Sequence, residues 1–205
     1  MSIRRERQTR RLRRLQRLSD GPFVARTILE ARRYVLAYPT CGPGWLELAI
    51  NLYPLGRYEE AEQALAKAIA LSPASGRPYA LSVMGNLFRA CGDYNQAAIW
   101  FRQAIEADPS DAGWRILLGA VLAKQGKLHE AEEVHRAATE CSEGCIDEAF
   151  LNRGLVLRAL ERFSEAAECF REAIRLDPDD RVAKRALRDV ELCIPFERPR
   201  RRKQG

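Results

Sequence analysis

The 205-residue sequence lacks any run of 18 or more apolar residues, so no segment is expected to span a bilayer as a helix. Arginines open the chain without an apolar stretch behind them, which is not the pattern of a secretory leader. A mitochondrial presequence would share that arginine enrichment, but serine is scarce there and Glu6 interrupts it. Histidine is almost absent, with only His129 and His135. No phosphate-cradling glycine loop, no GxSxG and no HExxH is present, so no catalytic constellation emerges and no cofactor is implied. The expectation is a protein that is not an enzyme.

Cysteine is present but not in the pattern of a disulfide framework. The six residues Cys41, Cys91, Cys141, Cys145, Cys169 and Cys193 are spread through a chain long enough to build a core. Free thiols in a reducing cytoplasm are therefore expected. Cys141 and Cys145 form a CSEGC run that, with His135 or His129, has the elements of a metal or redox site. Zinc sites use two such pairs with tighter spacing, so ordinary thiols near a helix end are the expectation, and no metal is assigned.

Lysine is scarce beside arginine, and charge is unevenly placed. Residues 1–18 carry +7, residues 196–205 carry +4, and the intervening 19–195 carry −5. An acidic body is thus flanked by two basic ends. The sequence pI near 9.2 describes the ends only.

The dominant feature is repetition. Gly56, Gly92, Gly126 and Glu161 head four aligned segments, stepping by 36, 34 and 35 residues. The same steps relate Tyr58, Tyr94, Leu128 and Phe163, and then Ala61, Ala97, Ala131 and Ala166. They also relate Leu65, Phe101, His135 and Phe170, then Ala68, Ala104, Ala138 and Ala173, and finally Pro73, Pro109, Glu143 and Pro178. A period of this size is the mark of a stacked array whose units cannot bury their apolar faces alone. Gly85, Gly119 and Gly154 fall inside helices, where each costs about 1 kcal/mol relative to Ala. That suggests close approach of a neighbouring backbone at those points, with aromatics filling the space between successive units. Gly56, Gly92 and Gly126 fall at helix ends, where a positive φ is often required.

These columns resemble the tetratricopeptide repeat. The first unit reads Trp45, Leu48, Ala49, Leu52, Gly56, Tyr58, Ala61, Leu65, Ala68, Pro73, and the second and fourth units follow it closely. The third departs by placing His135 where Phe is usual and Glu143 where Pro is usual. The fourth departs with Glu161 in its turn. The resemblance implies an all-α, right-handed superhelical solenoid of stacked helix–turn–helix units that binds other proteins. The organisation expected is an Arg-rich, helical N-terminal arm over 1–18 and a degenerate first repeat or cap over 19–41. Four repeats follow at 42–75, 78–111, 112–145 and 147–180, together spanning 42–180. A capping helix over 181–193 and a basic tail over 194–205 complete the chain. In residues 23–38, Val24, Ile28, Leu29, Val35 and Leu36 read as one apolar side. In the capping helix, Val182, Ala186, Leu187 and Val190 read as the face laid on the last repeat.

The resemblance also places residues on the concave, first-helix face. These are Ile50, with Leu46, Glu47 and Tyr53 beside it; Tyr79, Ser82, Asn86 and Arg89; Ile116 and Lys124; and Leu151, Asn152, Leu155 and Arg158. Members that grip heat-shock-protein C-terminal carboxylates carry a Lys/Asn/Arg clamp there. Here Leu46 and Ile50 stand in the first clamp positions. Starting one repeat later gives Ser82 and Asn86, and then Leu117. No heat-shock carboxylate clamp is expected. The groove instead suits a peptide segment with apolar anchors and some acidic residues, the apolar groove positions being alternatively packed against neighbouring helices.

The second candidate surface is the basic ends. Arg4, Arg5, Arg7, Arg10, Arg11, Arg13, Arg14 and Arg17 surround Leu12, Leu15 and Leu18 in a helical pattern, and Arg200, Arg201, Arg202 and Lys203 crowd the tail. Such ends suit RNA or the ribosome. An anionic membrane surface is the weaker match, since the apolar stripe is narrow and has no Trp or Phe. The leucines have an alternative use in packing on the first repeat.

Overall fold

A computed structural model describes residues 3–197, and two units are distinguished within it, residues 1–107 and 108–205. The first holds α1 (Ile3–Ser19), α2 (Val24–Ala37), α3 (Gly42–Leu52), α4 (Tyr58–Leu71), α5 (Arg77–Ala90) and α6 (Tyr94–Ala107). The second holds α7 (Ala112–Lys124), α8 (Leu128–Thr139), α9 (Ile146–Ala159), α10 (Phe163–Leu176) and α11 (Arg181–Cys193). Among the described residues there is no strand beyond one isolated bridge between Asp111 and Glu143. The all-α stack of helix–turn–helix units read from the repeat is the architecture seen within each unit.

The hairpins α3–α4, α5–α6, α7–α8 and α9–α10 turn by one device. After α5, the Asp93 N–H donates to the Phe88 carbonyl at 2.9 Å while Gly92 sits at φ +82°. After α7, Lys127 reaches Leu122 at 3.0 Å across Gly126 at φ +76°. This is the left-handed cap that closes a helix on its own last carbonyls. The fourth hairpin has no glycine at this point, yet Arg162 still donates to Leu157 at 2.9 Å, and Glu161 takes φ +57°. A side chain in that region strains the backbone by about 1–2 kcal/mol. Glu161→Gly removes the strain but frees the unfolded chain. A net gain of about 0.5–1 kcal/mol is expected in a urea melt of the full chain.

The helical glycines serve a different purpose from the close backbone approach suggested by the sequence. A Cβ on Gly85 would lie 2.6 Å from the Phe101 ring, one on Gly119 2.5 Å from the His135 ring, and one on Gly154 2.5 Å from the Phe170 ring. In these three hairpins the first helix is notched so that the ring of its own second helix can lie across it. Phe101 and Phe170 are wholly buried in these notches and His135 nearly so. Ala61, Ala97, Ala131 and Ala166, all fully buried, keep the paired helices close.

The N-terminal segments join into one element. α1 packs on α2 and also on α3, so the sequence assigned to a free arm and that assigned to a degenerate repeat form a hairpin of their own. Leu15 is buried in the core with Ile28, Tyr34, Val35, Leu48 and Leu52, and Leu12 packs at its edge. The Thr27 hydroxyl donates to the Leu18 carbonyl at 3.0 Å, and the Asn51 amide donates to Ser19 Oγ at 2.7 Å, pinning the end of α1. On α2 the apolar side is made by Ile28, Ala31, Tyr34 and Val35, whereas Val24, Leu29 and Leu36 are exposed. The expected stripe there was too wide by three residues. On α11, Ala183, Ala186 and Val190 are buried while Val182 is exposed, another correction. Asp180 starts that helix by accepting from the Val182 and Ala183 N–H groups at 2.7 and 3.0 Å.

Candidate functional sites

In the first unit, the exposed side of α3 and α5 gathers Ile50, Tyr53, Tyr79, Asn86 and Arg89. Tyr79 is the largest exposed group among them, with about half of its surface open (51%). Its phenol is pushed up, first by partial burial and then by the nearby Glu47 carboxyl and Tyr53. The Glu47 carboxyl is itself pushed up, chiefly by burial, with hydrogen bonds from Ser19 and Gln16 of α1 drawing it partly back. The end of α1 thus closes one side of the patch. Ile50 and Tyr53 are half-buried against the core, Asn86 is half-buried, and Arg89 is exposed. Asn86 Oδ1 is buried with no hydrogen-bond partner. Ser82 does not belong to this surface. It is buried, and its hydroxyl is spent on the Tyr79 carbonyl at 2.8 Å.

In the second unit, Lys124 is exposed, and Leu151, Asn152 and Leu155 are half-buried beside the core formed by Leu157, Phe170 and Val190. Ile116 is a correction. It is buried among Ala112, Ala138 and Ala149, so it packs neighbouring helices together rather than facing a ligand. Arg158 is exposed but not free, since its Nη1 donates to Asp189 Oδ2 of α11 at 3.0 Å. Leu155, Arg158, Val182, Arg185, Ala186 and Asp189 line an open cavity of about 320 Å³. The α11 wall of this cavity was missed from the sequence. Val182, Arg185, Ala186 and Asp189 follow helical spacing on one face, and that spacing was the available signal.

The basic surface lies on α1. Arg5, Arg7, Arg10, Arg11, Arg13, Arg14 and Arg17 are all exposed, whereas the side chain of Arg4 and residues Arg200, Arg201, Arg202 and Lys203 lie outside the described residues. Arg10 stands 3.9 Å from Glu6, the one ion pair formed by these arginines among the described residues. Arg11, Arg14, Leu15, Leu18, Glu30, Arg33 and Tyr34 line a cleft of about 300 Å³ between α1 and α2. Arg10, Arg13, Arg14 and Arg17 line a second of about 250 Å³.

The cysteines form no site. All six are free, and among the described residues no group of three or more His, Cys, Asp or Glu side chains is placed to hold a metal ion. Burial pushes the Cys169 thiol up to about 11, leaving it protonated and unreactive at neutral pH. Cys141 Sγ faces the Ala137 carbonyl at 3.5 Å and the Arg115 guanidinium at 3.2 Å. His135 Nδ1 is buried without a hydrogen-bond partner, and burial holds its pKa near 4. No helix among the described residues is long and apolar enough to cross a membrane.

Comparison with known proteins agrees with this architecture. Family models described as Tetratricopeptide repeat match residues 43–75 and 147–180, and one described as TPR repeat matches 85–126. Together they take in just over half of the chain, which belongs to the tetratricopeptide repeat family. Two human proteins are similar to it. Tetratricopeptide repeat protein 7A is 29% identical over 67% of this chain and 16% of its own length. Protein O-mannosyl-transferase TMTC1 is 28% identical over 60% of this chain and 13% of its own length. The chain therefore spans about a sixth or less of either relative. Among solved structures, YrrB, a TPR protein with an unusual peptide-binding site, aligns with a TM-score of 0.64 at 21% identity, covering 87% of this chain and 90% of its own. The first TPR of Spaghetti (RPAP3), bound to an HSP90 peptide, aligns at 0.55 and 21% identity, covering 59% and 95%.

Proposed function

We propose that this protein is a non-catalytic interaction scaffold that holds an extended peptide segment of a partner protein on the first-helix faces of its repeats. The observation that carries the reading is Tyr79. It is a large aromatic half exposed on α5, with Tyr53 and Glu47 near its phenol; Ile50 is half-buried on α3, and Arg89 is exposed further along α5. Tyrosine and arginine are among the residue types that most often carry the binding energy of an interface. A peptide with an apolar residue over Ile50 and Tyr53 and a carboxylate toward Arg89 matches this patch. A peptide N–H or C=O would engage the half-buried Asn86 amide. Lys124, Leu151, Asn152 and Leu155 offer a similar combination in the second unit, with Arg158 already paired to Asp189. Two structures of the same fold lend support, one with a peptide-binding site and one bound to a peptide. The O-mannosyl-transferase matches over too small a part of its length to bring its chemistry to this chain.

The test is a random peptide library panned on the full-length protein, followed by calorimetric titration of an enriched peptide. The combined change Tyr79→Ala and Arg89→Ala is expected to weaken binding at least about 10-fold, since two contacts of this kind contribute more than about 1 kcal/mol each. Glu106→Ala, on the exposed side of α6, is expected to leave affinity unchanged. Equal affinity of the wild type and the Tyr79/Arg89 variant would place the binding face elsewhere.

A further inference from the structure

We infer from α1 a second docking surface, separate from the peptide face: its outer side binds the phosphate backbone of a nucleic acid. The helix is not a loose basic tail. Leu12 and Leu15 are packed into the core of the first unit, and the Leu18 and Gln8 carbonyls accept hydrogen bonds from Thr27 and Tyr34. The arginines are therefore presented from a backbone already held in place, so less ordering is needed when a ligand arrives.

Their arrangement works against the helix itself. Arg7, Arg10, Arg11, Arg13, Arg14 and Arg17 fall repeatedly at separations of three and four residues, where like charges repel across a turn. Among the described residues Glu6 alone ion-pairs with these arginines, at 3.9 Å from Arg10, while Glu30 in the cleft between α1 and α2 is paired to Arg33 at 3.0 Å. An exposed helix that is merely solvated usually alternates sign and gains from the pairs. This one carries the repulsion, which a line of phosphates would convert into attraction. Geometry points the same way. The two clefts share Arg14 and open on adjoining faces of the same stretch of α1, so anions held in them would lie side by side across the helix. The guanidinium fork accepts phosphate oxygens two at a time.

Two other occupants fit less well. A bilayer needs apolar side chains to insert, and the leucines of α1 are turned into the protein, Leu15 being only 2% exposed. An acidic peptide would find only arginines lining the cleft of Arg10, Arg13, Arg14 and Arg17, with no apolar residue there to pack an anchor against. A polyphosphate needs none. With no aromatic in that cleft, binding is expected to read charge and not base sequence.

The experiment uses the full chain, a labelled 15-nucleotide oligouridylate and fluorescence anisotropy across a salt series. The wild type is expected to bind with a steep salt dependence. The variant Arg10→Gln, Arg13→Gln, Arg14→Gln, Arg17→Gln is expected to lose at least about 10-fold in affinity, and its log–log salt slope to fall by about 3 from four lost contacts. Its melting temperature should be equal or higher, because the repulsion is gone, so a loss of binding is not a loss of folding. Binding of the groove peptide should persist in the same variant, which separates this surface from the peptide face. Unchanged affinity and slope in the variant overturn the proposal. It is equally overturned if only removal of the 198–205 charges abolishes binding, or if the chain sediments with 30% phosphatidylserine vesicles while the oligonucleotide stays free.

Discussion

Phe170→Ala is expected to lower the unfolding free energy by about 3–5 kcal/mol, the range for truncating a buried aromatic. The upper half of that range is expected here for a local reason. The ring is fully buried and lies across Gly154, within 2.5 Å of where a Cβ would stand. Its removal therefore faces a helix with no side chain at that point to relax into the space, and a poorly refilled cavity is the costly kind. The same geometry gives the prediction an internal control. Gly154→Ala in the wild type drives a methyl into the ring and should destabilise, since the overpacking of about 1–3 kcal/mol exceeds the roughly 1 kcal/mol that Ala gains over Gly in a helix. In the Phe170→Ala background the ring is gone, so the same change should be neutral or stabilising. The sign of Gly154→Ala should thus invert between the two backgrounds, as read by urea denaturation of all four chains. Simple additivity would mean that the two positions do not share a space.

Much of the fold was legible because the repeat places a small residue and a ring in fixed register. Gly85 with Phe101, Gly119 with His135 and Gly154 with Phe170 all keep one separation, and all three prove to be notch-and-ring pairs. Sequence reasoning misjudged what lay over the glycines, because a missing side chain tells that something is close without telling what. The candidate site was less legible for a similar reason. Position in a repeat fixes the direction a residue leaves its helix, but not whether the next helix covers it. Ile116 and Leu151 hold matching positions in neighbouring repeats, yet Ile116 is sealed by Ala138 and Ala149 while Leu151 stays half open. Val182 illustrates the converse, an apolar residue on the expected stripe that stays exposed. The docking of α1 was legible only as an alternative, since Leu12, Leu15 and Leu18 mark an apolar side while the arginines around them suit a solvent-exposed arm equally well.

His135→Phe is expected to flatten the acid dependence of stability as well as to raise stability at neutral pH. His135 occupies a ring position that is Phe in two of its three counterparts, at essentially the same distance from its glycine. A ring of Phe size is therefore accommodated by this architecture. At pH 7 the histidine is neutral whether folded or unfolded, but its buried Nδ1 has no partner, a loss of about 1–3 kcal/mol that Phe would not suffer. Below neutrality a second effect opens. Burial lowers the folded pKa from 6.5 to about 4, against a smaller opposing pull from the Glu132 carboxylate one turn away. The unfolded chain thus binds the extra proton first, and between these two values stability falls as pH falls. Above 6.5 the group contributes no slope, and below about 4 the loss is complete. Across the window the shift corresponds to roughly 3 kcal/mol. Glu132 is engaged by Arg153 at 3.0 Å and Arg162 at 3.5 Å and is retained in the variant. Denaturant melts of wild type and variant from pH 7.5 to 4.5 should therefore converge least at the acid end, with the gap widening steadily below pH 6.5. Parallel curves would mean that the ring is reached by water or protonated in place, and that the notch over Gly119 is looser than those over Gly85 and Gly154.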